Sequence, residues 1–309
     1  MTAFSEFMQR LLHAGGTTRT IISDPELGLL RDKVLEVFID VVGVENVEGL
    51  VSAMTRSRAV ISGSKALSLL VESVEARDID WYVPKSRSTY LLHFFEGLGF
   101  TVMKITRTSK YCGGFESVHK LTKKGRADMD VITSRTESPL YPLAYFHSAV
   151  VMNFVTPTSL FTAYPTVISR GQNLFNLNAC TDVNGLKSTD HLINAYRNDE
   201  RFGKMNKCVK EALMKYERRG FHLCDVTGEH KCTQSEVCLH TAQTMTDPYG
   251  LLLVFDLEKS KLVEKERTEE ENALRTLDGG MILWRLGGPA CCWGGLPTSA
   301  FVNQSAIDL

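Results

Sequence analysis

The chain has 309 residues, 43% of them hydrophobic and 23% charged, with 35 basic against 36 acidic side chains and a formal net charge of -1. That much apolar material buries a sizeable core and excludes a disordered, collagen-like or coiled-coil protein. Balanced charge removes any bulk electrostatic case for binding nucleic acid or membrane and leaves only local patches.

Taken in chain order, Met1 to Leu12 carries Glu6 and Arg10 within its apolar stretch, so it lacks the uninterrupted apolar region of a secretory signal. Ser23 to Val42 predicts a helix. Asp24 can cap it, Pro25 suits the first helical position, and Leu27, Leu30, Val34, Val37, Phe38 and Val41 recur at helical spacing. A short β-like run, Ala59 to Ile61, enters Ser62-Gly63-Ser64-Lys65 and then a helical stretch from Ala66 to Val74. Ile79 to Val83 reads as a strand closed by Pro84, and Ser88 to Leu98 as a helix stopped by Gly99. Three strands follow over Thr101 to Arg107, Phe115 to Thr122 and Ala127 to Thr133, the last two joined by a Lys123-Lys124-Gly125-Arg126 turn.

The most apolar region, Leu140 to Pro165, is broken by Pro142, His147, Asn153 and Pro157. It suits a buried core segment better than a membrane span. Within it, Phe154 to Thr156 and Leu160 to Tyr164 suit a hairpin. Ser188 to Arg219 reads as one or two helices with a break near Gly203, Leu251 to Asp256 as a further strand, and Trp284 and Trp293 as residues of the tail that cover the core. These elements predict an α/β (α+β) domain over residues 20–170, a mixed sheet flanked by helices. A mainly helical, Cys/His-containing region over residues 171–309 packs on it.

Three short pieces carry chemistry. Ile61-Ser62-Gly63-Ser64 is a strand end running into a helix N-terminus, where backbone N–H groups and a hydroxyl can meet an anion and Gly63 lets a phosphate approach the main chain. Asp78-Ile79-Asp80 on a strand points two carboxylates to one face. Asp128-Met129-Asp130 offers a further carboxylate on another strand. Acidic side chains on neighbouring strands facing an anion-binding turn suit Mg²⁺ carrying a triphosphate, because that ion prefers oxygen ligands shared between carboxylates and substrate phosphates.

With these pieces in place the sequence resembles the nucleotidyltransferase superfamily, the polymerase-β-like fold, over about residues 55–135. In that pattern a hydrophobic residue, Gly and then Gly or Ser precede an acidic–hydrophobic–acidic trio and a later acidic residue on a strand. Ile61, Gly63-Ser64 and Asp78-Ile79-Asp80 match it, with residues 65–77 as the spacer, while Ser62 stands where the family has an apolar residue. The chain as a whole is also similar to a group of fungal proteins bearing this core.

The resemblance implies nucleotide binding at Gly63, Ser64 and Lys65. It implies catalytic, metal-holding roles for Asp78, Asp80 and Asp130, with Asp128 as the alternative third ligand. The implied reaction is Mg²⁺-dependent transfer of a nucleotide monophosphate from an NTP such as ATP to a hydroxyl of RNA, protein or a small molecule, through two metal ions. The alternative, from another class, is a catalytically silent binding protein that keeps the fold, with a structural zinc.

Two further clusters stand out. Nine Lys or Arg against Glu96 and Glu116 between Lys85 and Arg126 form a basic stretch, either an ordinary solvated face or an attraction for triphosphate or RNA. Cys224, Cys232, Cys238 and His240 can supply a tetrahedral zinc set, with His222 or His230 as substitutes. The spacing has no C-x-x-C knuckle, however, and buried thiols with surface histidines are the plainer reading. Eight cysteines, mostly far apart in a chain without a secretory signal, suit reduced thiols or metal ligands, and with them a cytoplasmic or nuclear location.

Overall fold

The alternation along Asp78-Ile79-Asp80-Trp81-Tyr82-Val83 sets the frame of the molecule. Ile79, Trp81 and Val83 are buried on one face of the strand, while Asp78, Asp80 and Tyr82 belong to the other. The computed structural model describes residues 2–14, 24–105, 114–174, 176, 207–224, 249–255, 257 and 286.

Its helices are α1 (Ala3–Ala14), α2 (Asp24–Val42), α3 (Val47–Ser57), α4 (Gly63–Leu70), α5 (Ser88–Gly97), α6 (Pro165–Ser169) and α7 (Lys207–Arg218). Its strands are β1 (Val60–Ser62), β2 (Asp78–Val83), β3 (Thr101–Ile105), β4 (Phe115–Thr122), β5 (Asp128–Ser134), β6 (Asn153–Val155), β7 (Ser159–Thr162), β8 (Gln172–Asn173), β9 (His222–Leu223) and β10 (Leu251–Val254). Eight of them form one sheet in the order β10-β7-β6-β1-β2-β5-β4-β3, and β8 pairs with β9 in a parallel ribbon of its own. Within the large sheet β2 and β5 run parallel and every other neighbouring pair is antiparallel. The architecture is the mixed α/β sheet flanked by helices that the sequence predicts.

Two apolar layers hold it. On one face Ile61, Ile79, Trp81, Met129 and Val131 pack with residues of α1, α2, α3 and α5. On the other, Val60, Tyr82, Ile132, Phe154 and Phe161 pack with Leu140 and Leu143 from the Leu140 to Pro165 region and with Val167 of α6. That region is therefore buried core, folded into 3-10 turns and the predicted hairpin, β6 and β7. Among the described residues no helix is long and apolar enough to cross a membrane.

Several boundaries differ from the sequence expectation. The helix expected from Ala66 to Val74 instead starts at the Gly63 turn and stops at Leu70, because Val71 is already extended at φ -137 and ψ 102. Helices α1 and α3 were not predicted. The first buries Phe4, Phe7, Met8, Leu11 and Leu12 along one side, a regular amphipathic stripe. Of the helices expected over Ser188 to Arg219, α7 lies within the described residues. The Gly203 break, Trp284 and Trp293 lie outside them.

Candidate active site

Strand register brings the predicted carboxylates together. In the parallel β2–β5 pair Asp78 stands beside Asp128 and Asp80 beside Asp130, a two-by-two arrangement on one face with neighbouring strands about 4.8 Å apart. This face is the one that, one step further along, becomes the second apolar layer at Tyr82 and Ile132. Period-two alternation therefore moves it from core to site within one residue pair. Asp78 and Asp128 are exposed, Asp80 and Asp130 half-buried.

The Gly63 turn closes on the same group. Strand β1 is antiparallel to β2, with Ser62 opposite Asp80. Gly63 adopts φ +69, and a Cβ placed on it would stand 2.6 Å from Asp80 Oδ2. Glycine takes that backbone without strain and leaves the Asp80 carboxylate its place. The α4 N-terminus thus opens directly beside the Asp80 carboxylate, with its first backbone N–H groups lacking intrahelical partners. Ser64 is buried at 2% exposure and Lys65 is half-buried. The anion-binding capacity of the turn accordingly resides more in its backbone than in the Ser64 hydroxyl. Ser62, the departure from the family pattern, is fully buried and donates its hydroxyl to the Asn153 carbonyl of β6, which satisfies a polar group where an apolar one would pack.

One cation already stands at the carboxylates. Lys120 of β4 lies opposite Asp130 and its Nζ reaches Asp128 Oδ2 at 2.8 Å. The hydrogen bond to Asp128, together with the fields of Asp128, Asp130 and Asp78, raises the Lys120 ammonium above its ordinary range. Among the described residues no three His, Cys, Asp or Glu side chains are gathered tightly enough to hold a metal ion as they stand. Donor type and the Gly63 cradle suit a hard cation such as Mg²⁺, while convergence of the oxygens is not preassembled.

The far wall of the site is formed by residues outside the predicted set. Tyr216 of α7 is buried, and burial raises its phenol above the ordinary value. Arg219 works against that shift, while Asp80 and Asp78 add to it, which puts α7 within the field of the site. The Arg219 guanidinium lies over the Tyr216 ring at 5.4 Å and donates through Nη2 to the Glu75 carbonyl. His147 stacks on the same ring, centroids 5.8 Å apart. Burial, then the Lys215 charge, pushes the imidazole down to about 4. Between α7 and the loop before β2 opens a cleft of about 570 Å³ with Asp78 on its lining. The signal available in the sequence was the run Lys215-Tyr216-Glu217-Arg218-Arg219-Gly220 at a helix end.

Four of the nine cations of the predicted basic stretch, Lys120 among them, are drawn into structural contacts, while Arg107 and Lys110 lie outside the described residues. Lys85 pairs with Glu116 at 3.0 Å, Lys123 donates to the Leu98 carbonyl at 2.6 Å, and Arg126 donates to the carbonyls of Ile39 and Asp40 at 3.2 and 3.0 Å. Cations at the last carbonyls of α2 and α5 complement the negative helix ends. In the predicted zinc set Cys224 is half-buried with its thiol 3.4 Å from the His222 carbonyl, while Cys232, Cys238 and His240 lie outside the described residues.

No protein-family model matches the chain, and no curated protein sequence does. Among solved structures it is similar to a CCA-adding enzyme in complex with CTP, with 14% identity and a TM-score of 0.37, over 60% of this chain and 47% of that one. It is similar also to the Thermotoga maritima CCA-adding enzyme complexed with tRNA_CCA, with 13% identity and a TM-score of 0.34, over 60% and 46%. The chain spans about half the length of each of these proteins.

Proposed function

We propose that this chain is a nucleotidyltransferase that moves a nucleotide monophosphate from an NTP to a hydroxyl acceptor. The observation carrying the reading is the pairing of Asp78 with Asp128 and Asp80 with Asp130 beside a left-handed Gly63 turn where a Cβ would press on the Asp80 carboxylate. Backbone N–H groups at the start of α4 would bind the phosphate tail, favoured by the positive end of the helix. Asp78 and Asp80 would hold magnesium, with Asp130 or Asp128 as the third oxygen donor. Bound there, the ion would neutralise phosphate charge and acidify the acceptor hydroxyl. The acceptor oxygen would form a bond to the α-phosphorus as the bond to the departing pyrophosphate breaks, and the hydroxyl proton would pass to solvent. Asp80 faces both the turn and Asp130, which makes it the side chain whose loss removes most.

One observation favours the other reading, a silent binding protein on this fold: Lys120 already compensates Asp128. Incubation with Mg²⁺, cell extract and each α-labelled NTP distinguishes the two. Labelling by the native chain that falls at least about 100-fold in Asp80→Ala, with unchanged circular dichroism, supports transfer. Labelling equal in the two proteins rejects it.

A further inference from the structure

The last turn of α7 and the loop before β2 face each other across the cleft. Arg77, Asp78 and Glu75 line it from the loop, and Lys215, Arg218 and Arg219 from the helix end. Four cations against two carboxylates leave a local charge of +2 in a space of about 570 Å³, within the range of about 300–1,000 Å³ common for ligand sites. Basic residues at a helix C-terminus have a structural use, and Arg218 serves it in part by donating from Nε to the Met214 carbonyl at 3.2 Å. That use does not extend to Arg77 on the opposite wall. Nor does it extend to Arg219, which lies past the last helical residue and keeps Nη1 buried without a hydrogen-bond partner among the described residues. Cations brought together around a cleft repel one another, and an anion between them removes that cost.

The position of the cleft narrows the choice of anion. Gly63, Ser64 and Lys65 do not line it, whereas Asp78 belongs to both the cleft and the carboxylate face. A triphosphate seated at the Gly63 turn would therefore leave this space to the second substrate, with Asp78 between the two.

We propose that the cleft lined by Arg77, Lys215, Arg218 and Arg219 binds the phosphate groups of the acceptor, a single-stranded polynucleotide whose terminal hydroxyl it presents at Asp78. The identity of the bound molecule as acceptor rests on the nucleotidyl-transfer reading; its anionic chemistry does not. Phosphate groups come from two sources here, the strand and the nucleotide, and two titrations on the full chain separate them. One follows the fluorescence anisotropy of a labelled single-stranded oligoribonucleotide without NTP, at several salt concentrations. The other measures binding of a non-hydrolysable NTP analogue with Mg²⁺ by calorimetry.

The variants are Arg77→Gln and the pair Lys215→Gln with Arg218→Gln, which keep much of each side-chain stem; Lys215→Gln also removes the ammonium 5.6 Å over the Tyr216 ring, so Arg77→Gln is the variant free of that contact. Each should weaken the oligonucleotide about tenfold and flatten its salt dependence by roughly one phosphate contact per charge removed, while the analogue binds within about twofold of native. Unchanged oligonucleotide affinity overturns the proposal, and so does a loss that falls on the analogue instead. Should Asp80→Ala leave labelling intact, the transfer reading fails by itself. Oligonucleotide affinity lost only in the cleft variants would still support the phosphate-binding site.

Discussion

Gly63 is held by two independent constraints, a left-handed backbone at φ +69 and the Asp80 carboxylate 2.6 Å from where a Cβ would be. The first costs an alanine about 1–2 kcal/mol. The second is relieved by moving a side-chain end, so its cost falls on Asp80 rather than on the fold. Gly63→Ala should therefore lower stability in urea by about 1–2 kcal/mol or slightly more, and the loss should shrink but not vanish when Asp80 is already alanine. Equal losses in the two backgrounds would show that the carboxylate does not press on the turn. Nothing in the local sequence indicated that Ser62 is compatible with this turn. Its partner is the carbonyl of Asn153, 91 residues away, and a hydrogen bond of that span is not written in any short motif.

At the scale of elements, α5 is fixed to β2 by an aromatic chain. Phe95 is fully buried, with its ring 5.4 Å from Trp81, 5.4 Å from Phe94 and 5.5 Å from Phe100, and the Trp81 indole donates to Met129 Sδ at 3.3 Å. Phe95→Ala should cost about 3–5 kcal/mol in urea unfolding, whereas Phe95→Leu, which retains most of the volume, should cost under about 1.5. Similar losses for both would mean that ring geometry rather than filled space holds the helix.

The strands that carry the carboxylates were legible to within one or two residues, since alternation in β2 and β5 distinguishes acidic from apolar faces without reference to partners. Helix α3 was not legible, and its ending explains why. Arg58 occupies the left-handed C-cap at φ 55, where glycine is the usual marker. Helix α4 starts three residues ahead of the expected Ala66, because its first turn is the Gly63-Ser64-Lys65 segment itself. The α7 wall escaped notice because its relation to Asp78 exists only through folding.

For the molecule as a whole, the contact between His147 and Tyr216 joins the segment after β5 to α7, and it carries a pH dependence. The imidazole titrates near 4 when folded, against an ordinary value of about 6.5 when unfolded. Between those values the unfolded chain binds more protons, so this contribution is complete above about pH 6.5 and is lost as pH falls toward 4. The full effect is about 3 kcal/mol. Denaturant unfolding at pH 7.5 and 4.5 should show the native chain losing about 2 kcal/mol more than His147→Phe, whose ring can still stack on Tyr216. If both proteins lose the same amount on acidification, His147 is not the group responsible.

Strand β10 has a wider consequence. Leu251 to Val254 runs along Thr162 to Ser159, and in doing so saturates the outer backbone donors and acceptors of a row that includes the buried Leu160 and Phe161. A chain cut ahead of Tyr249 would bare that border, offering a greasy, unpaired ribbon to the same border on a second copy. Proteolysis or a premature stop there would yield a self-associating species.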